Sequence, residues 1–149
     1  MRRLSVAAAG TTCADAGLVW SLVADANRYA GWGPWEDGGY RPPSLGPSRK
    51  GMVQWFRYNR RTTTTEEILE VEEARRLVYT VVGGLPVKNY RAEVTLAPAS
   101  PAGTSVNWAA TWDDTVMGRL VRRRLQQVYY RVVAALVAAA DQEASSQSR

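Results

Sequence analysis

Residues 12–35, TCADAGLVWSLVADANRYAGWGPW, constrain the fold more than any other part of this chain. Thr12 can cap a helix whose first turn carries Asp15, a charge favoured by the positive helix N-terminus. Leu18, Val19, Leu22 and Val23 then recur at helical spacing, with Trp20 on the flank. Asp25-Ala26-Asn27 breaks and re-caps the chain. Tyr29 and Trp32 close a short second helix that Gly31, Gly33 and Pro34 stop. One other long helical pattern follows, over residues 115–141, with Thr115 as its cap. Its apolar stripe is Met117, Val121, Leu125, Val128, Val132 and Leu136. A β-rich stretch fills the space between. The order strand, helix, helix, sheet, long helix predicts an α+β fold in which one cupped sheet wraps a single helix and encloses an apolar cavity.

The strands are read from period-two alternation. Residues 3–9 make the first, and residues 36–41 a short edge strand ahead of a Pro/Gly/Ser loop. Residues 51–59 form a strand with two candidate inner faces: Met52, Gln54, Phe56 and Tyr58, or Val53, Trp55 and Arg57. A β-branched strand over 62–72 turns into 77–82, where Leu77, Tyr79 and Val81 make the better inward set. Gly83-Gly84-Leu85-Pro86 breaks the sheet, and residues 88–96 and 104–112 form a final hairpin. Tyr90, Ala92, Val94 and Leu96 share its inner face with Val106, Trp108, Ala110 and Trp112. Residues 1–142 read as one domain, and 143–149 as a disordered polar tail.

Composition removes whole classes of chemistry. The 149 residues include no His, so imidazole bases, Ser–His–Asp triads and His-ligated zinc are excluded. Cys13 is the single cysteine, which excludes an intrachain disulfide and a Cys-cluster metal site. Neither metal nor nucleotide cofactor is expected. Six Trp and seven Tyr against one Phe suit a lined pocket as well as a core. The net charge of +5 is compatible with anionic partners without requiring them. Arg122-Arg123-Arg124 lies on the solvent side of the last helix with no groove-reading motif, so nucleic acid is not expected. The apolar part of the N-terminus, residues 4–9, is too short for the core of a signal peptide. The longest apolar run, 132–140, is too short to span a bilayer. A cytoplasmic protein without stable membrane insertion is expected.

The spacing of Val19-Trp20, Leu22, Asp25, Tyr29 and Trp32 within residues 14–32 resembles the SRPBCC superfamily, also called START-like, and its polyketide cyclase/dehydrase branch in particular. The segment EVEEARRLVYTVV (70–82) looks like that family's central hairpin. Residues 104–112 and the long helix after them look like its ending. The resemblance implies a helix-grip fold: a seven-stranded antiparallel curved sheet around a long C-terminal helix, with two short helices after strand 1. It also implies a small hydrophobic ligand, a polyketide or lipid. A homodimer stays open.

On that reading Tyr79, Tyr90, Trp108 and Trp112 either line the cavity or fill a plain core. An inward Arg57 could hold a carboxylate, phosphate or enolate; an outward one is a solvated surface group. Glu67 shares a face with Leu69 and Val71, the more apolar side of its strand, and a buried Glu there would have a raised pKa suited to acid or base work. Without His, Tyr or Glu must move protons, and Tyr or Arg must stabilise an enolate. The expected catalytic set is therefore Tyr90, Tyr79, Arg57 and Glu67. Trp55, Trp108, Trp112, Trp32, Tyr129, Val94 and Val128 are the expected ligand-binding set. The reaction would be aldol cyclisation and dehydration of a poly-β-carbonyl chain. The alternatives are a non-catalytic lipid or isoprenoid carrier or sensor, which needs no titratable group in its pocket, and a co-chaperone-like interaction module, which needs no pocket.

Overall fold

The alternating strands assemble into one antiparallel sheet. In the computed structural model, which describes residues 2–147, the strands are β1 (Arg3–Thr12), β2 (Asp37–Tyr40), β3 (Val53–Asn59), β4 (Thr62–Glu72), β5 (Arg76–Gly83), β6 (Arg91–Pro98) and β7 (Thr104–Asp113). Their order is β1-β7-β6-β5-β4-β3-β2, so neighbours in the sheet are neighbours in sequence except where β1 closes beside β7. Between β1 and β2 come α1 (Ala16–Val23), a 3-10 turn (Ala26–Arg28) and α2 (Tyr29–Trp32), which carry the chain from one sheet edge to the other. The helix α3 (Val116–Gln147) ends the chain.

Several boundaries differ from the sequence expectation, β6 for one beginning at Arg91 instead of 88, and three of the differences have a tertiary reason. Pairing with β7 carries β1 on to Thr12, opposite Thr104. The Thr12 hydroxyl then donates to Asp141 at 2.6 Å, and Asp15 is the α1 cap instead, accepting the Leu18 N–H at 2.8 Å. Met117 is 48% exposed, so the buried stripe of α3 starts one residue later, at Gly118. There the helix meets Trp112, whose indole N–H donates to the Gly118 carbonyl at 3.1 Å; a Cβ at 118 would lie 2.9 Å from that nitrogen. The supposed tail is helical as far as Gln147, because Ala144 packs on the core and Glu143 pairs with Arg28 at 2.6 Å. Residues 148 and 149 lie outside the described residues.

The helix α3 runs closest to β1, then β7. It also covers the outer edge of β1. The Gln126 amide binds both the N–H (3.2 Å) and the carbonyl (2.7 Å) of Ala7 as a neighbouring strand would, and Arg122 donates to the Ser5 carbonyl at 3.2 Å. An edge satisfied in this way cannot template pairing with another chain. Beneath α3 the inner faces of β6 and β7 are buried throughout, from Ala92, Val94 and Leu96 to Val106, Trp108, Ala110 and Trp112. The convex face is charged. Arg76 is held by Glu70, Glu72 and Glu93 at 3.2, 2.6 and 3.2 Å.

Candidate functional site

The inner face of β3 is Gln54, Phe56 and Tyr58. Phe56 stacks on Tyr29 (ring centroids 4.5 Å apart, planes 19° apart). Its ring lies so close to β2 that a Cβ on Gly38 would approach it to 2.9 Å. Period two then sends Trp55 and Arg57 to the convex face. Trp55 lies across Gly39, and Arg57 forms ion pairs with Glu36 (3.5 Å) and Asp37 (3.9 Å). Neither residue reaches the interior, which corrects both assignments.

Glu67 is corrected by the same logic, and a β-bulge explains the error. Ile68 opposes Tyr79 and Glu70 opposes Val78, so Leu69 is an extra residue that shifts the phase of β4. Before the bulge the inward residues are Thr64, Glu66 and Ile68; after it Val71 turns inward. Glu67, opposite Val53 and Thr80, faces out. The interior acid is its neighbour Glu66, opposite Gln54.

Glu66 is held by a buried polar chain. The Gln54 amide nitrogen donates to its Oε1 at 2.9 Å. Ser48 donates to the other end of that amide at 3.4 Å, and the Ser48 and Tyr40 hydroxyls are hydrogen-bonded at 2.8 Å. Tyr40 in turn accepts the Ala26 N–H at 2.9 Å. The chain fixes the amide with its nitrogen toward Glu66. Burial pushes the Glu66 carboxyl up to about 8, against the smaller lowering effect of the Gln54 bond. The group is therefore mostly a neutral acid at pH 7, and its carboxylate is within reach near that pH.

Four phenols surround this acid closely enough to feel its charge: Tyr29, Tyr79, Tyr90 and Tyr129. Tyr79 accepts the Trp108 indole N–H at 3.0 Å. The Tyr90 and Tyr129 hydroxyls share a hydrogen bond, and Tyr129 also meets the Tyr79 hydroxyl. Desolvation holds all four phenols well above their ordinary pKa, so they act as neutral hydrogen-bonding groups and not as bases. Trp108 is edge-on to Tyr129 with centroids 6.4 Å apart. The structure thus brings Tyr79, Tyr90, Tyr129 and Trp108 together. Trp112 stacks beside Tyr90 while pinning Gly118, and Val94 is closed into the core between Leu77 and Trp108. Val128 is half-buried on the cup side of α3. Trp32 lies on α2, beside Tyr29. Its ring is 5.0 Å from Tyr29, its indole N–H binds the Leu22 carbonyl at 3.1 Å, and it borders an outer crevice of about 450 Å³ against Ala139 and Glu143.

The two halves of the inner face differ in burial. The inner residues of β6 and β7 are buried, whereas Tyr58, Thr64, Glu66 and Val81 on β3–β5 are half-buried. The acid thus lies on the less buried half. Among the described residues no three Cys, Asp or Glu side chains converge to hold a metal ion, and no helix is long and apolar enough to cross a membrane.

The model of the family described as "Polyketide cyclase / dehydrase and lipid transport" matches residues 4–141. The chain belongs to that family. No curated protein matches it. Among solved structures it is similar to a Thermobifida fusca protein determined in solution (24% identity, TM-score 0.77, 93% of each chain covered). It is also similar to a Nitrosospira multiformis protein (18% identity, TM-score 0.78, 95% of this chain and 99% of that one). DynU16, a protein of the dynemicin biosynthetic locus, superposes at TM-score 0.71 and 17% identity, over 90% of this chain and 46% of its own. These likenesses show the shared fold. The family and its seven-stranded helix-grip architecture are those expected from the sequence. Sequence reasoning missed Glu66, Gln54, Tyr29 and Tyr58. The available signal was the β3 face of Met52, Gln54, Phe56 and Tyr58, whose register with β4 selects Glu66.

Proposed function

We propose that the protein binds a small hydrophobic, carbonyl-rich ligand in its cup and cyclises and dehydrates it, with Glu66 as the acid and base. The observation that carries this reading is a carboxyl group on the inner face of the sheet, within electrostatic reach of four tyrosines and with its pKa raised by desolvation to about 8. Efficient proton transfer needs a group whose pKa lies near the working pH. A pure carrier has no use for such a group, and burying it carries a cost.

The chemistry follows from the two protonation states. As carboxylate, Glu66 takes a proton from the methylene between two carbonyls and becomes the acid. The enolate carbon bonds to a distant carbonyl carbon of the same chain, and the new alkoxide takes the proton back as a hydroxyl. A second C–H deprotonation, with protonation of that hydroxyl, expels water and restores the starting state. Tyr79, Tyr90 and Tyr129 donate hydrogen bonds to the enolate and alkoxide oxygens. The aromatic walls hold the chain folded so that its ends meet, which supplies the proximity term. Gln54 orients the acid.

The test uses a synthetic linear poly-β-ketone thioester, with products followed by mass spectrometry and compared with spontaneous cyclisation. The expected result is one dominant dehydrated ring product with the wild type and a return to the spontaneous mixture with Glu66→Gln. Identical mixtures with both proteins, alongside tight binding of the thioester, would overturn catalysis and leave the lipid-carrier reading that the family description also covers.

A further inference from the structure

The reaction scheme leaves the Tyr58 phenol unused. Tyr58 follows Gln54 and Phe56 on the inner face of β3, edge-on to Trp35 with centroids 6.1 Å apart. Its hydroxyl oxygen is buried and has no hydrogen-bond partner among the described residues. Buried hydroxyls normally have one. On α3, Arg124, Val128 and Arg131 are spaced four and three residues apart and so share one face. Val128 packs on the core, while both arginines are exposed and form no ion pair or hydrogen bond with the described residues. Their charges reach the phenol. Burial drives Tyr58 up to about 12, and Arg131 and then Arg124 oppose that rise.

The inner wall offers these charges little balance. Its acid, Glu66, lies one register pair from Gln54, four residues along β3 from Tyr58, which is about 13 Å away. Two unpaired guanidiniums therefore lie within electrostatic reach of an unpaired phenolic O–H at the end of the inner face of β3. Guanidinium forks and a phenol together suit a carboxylate or phosphate.

We propose that Tyr58, Arg124 and Arg131 form an anion site at the mouth of the cup, and that the ligand is an elongated apolar molecule carrying a carboxylate or phosphate about 13 Å from the part that meets Glu66. The proposal rests on the cup being a ligand site, and it adds a polarity and a length to that ligand. The apolar end enters first, the anion stays at the rim, and the reacting carbonyls come to rest against the tyrosines.

The test is competition against the neutral dye N-phenyl-1-naphthylamine, using dodecanoate and dodecan-1-ol as competitors of equal chain length. The wild type should bind the dye and prefer dodecanoate by roughly tenfold, the value of one exposed charge-assisted contact. That preference should vanish in the Arg124→Gln/Arg131→Gln double variant and shrink in Tyr58→Phe, with dye affinity unchanged. Equal affinity of the wild type for acid and alcohol would overturn the anion site alone. Failure of the wild type to bind any of the three compounds would overturn both it and the ligand-binding cup. Phosphatidylglycerol vesicles that pellet the wild type but not the double variant, with the dodecanoate preference intact in both, would assign the arginines to a membrane surface and overturn the proposal.

Discussion

The two halves of the sheet use the same alternation for opposite ends. Under α3, β6 and β7 present Val94, Val106, Trp108 and Trp112, all buried, and the helix seats directly on them through Gly118. On β3 and β4 the inner positions include Gln54, Tyr58, Thr64 and Glu66, polar groups that a core built only for stability would replace with Val or Ile. One half is packed to hold the fold together. The other bears the cost of a desolvated acid, the group to which the proposed function assigns proton transfer.

The comparison can be broken first on the more buried half. Trp112→Ala removes a fully buried ring and its bond to α3, and should lower unfolding free energy by about 3–5 kcal/mol in urea titration. A loss under about 1 kcal/mol would mean that this half is not the structural one. On the less buried half Glu66→Gln should do the reverse at alkaline pH. The carboxyl's folded pKa, about 8, lies above the 4.5 of an ordinary Glu. The folded state therefore holds a proton that the unfolded state has lost, and stability falls as pH rises from about 4.5 to about 8. Glu66→Gln should flatten that slope and be more stable than wild type at pH 9 by a few kcal/mol. A variant that keeps the slope would place its origin elsewhere.

Tyr90→Phe sharpens the boundary between the halves, because Tyr90 stacks on Trp112 yet binds Tyr129 across the cup. Losing the hydroxyl should cost about 1 kcal/mol of stability. If the phenols stabilise oxyanions, turnover of the thioester should fall far more than that, while its binding changes little. An equal loss in folding and turnover would make the hydroxyl structural. The smallest effect belongs to Arg57→Ala on the convex face, expected within about 0.5 kcal/mol in stability and neutral for product pattern. A change in products would return Arg57 to the site.

The fold was legible because its signals are local or periodic. The break at Asp25-Ala26-Asn27 is realised by Asp25, whose side chain accepts the Asn27 N–H at 3.0 Å, and the clean alternation of 104–112 survives intact in β7. The aromatic part of the site was legible for the same reason, since Tyr79 and Trp108 lie on strands whose inner face is unambiguous and Tyr90 immediately precedes β6 in phase with its inner face. The acid was not. On β3 two faces looked equally apolar, and on β4 the bulge at Leu69 joined Glu67 to Leu69 and Val71 in a pattern that no real face carries. One inserted residue inverts every assignment before it, and the hydrogen-bond pairing that reveals it is a property of two strands. Gln54 had a further disguise: an amide reads as surface until Ser48 and Glu66 are seen on either side of it.

The most direct measurement is a carbon-13 NMR titration of the Glu66 side-chain carboxyl in the intact protein, assigned with Glu66→Gln. The account predicts a midpoint near 8, well separated from the other glutamates. A midpoint near 4.5, the ordinary value, would show a solvated carboxylate and contradict a desolvated acid on the inner face of the sheet.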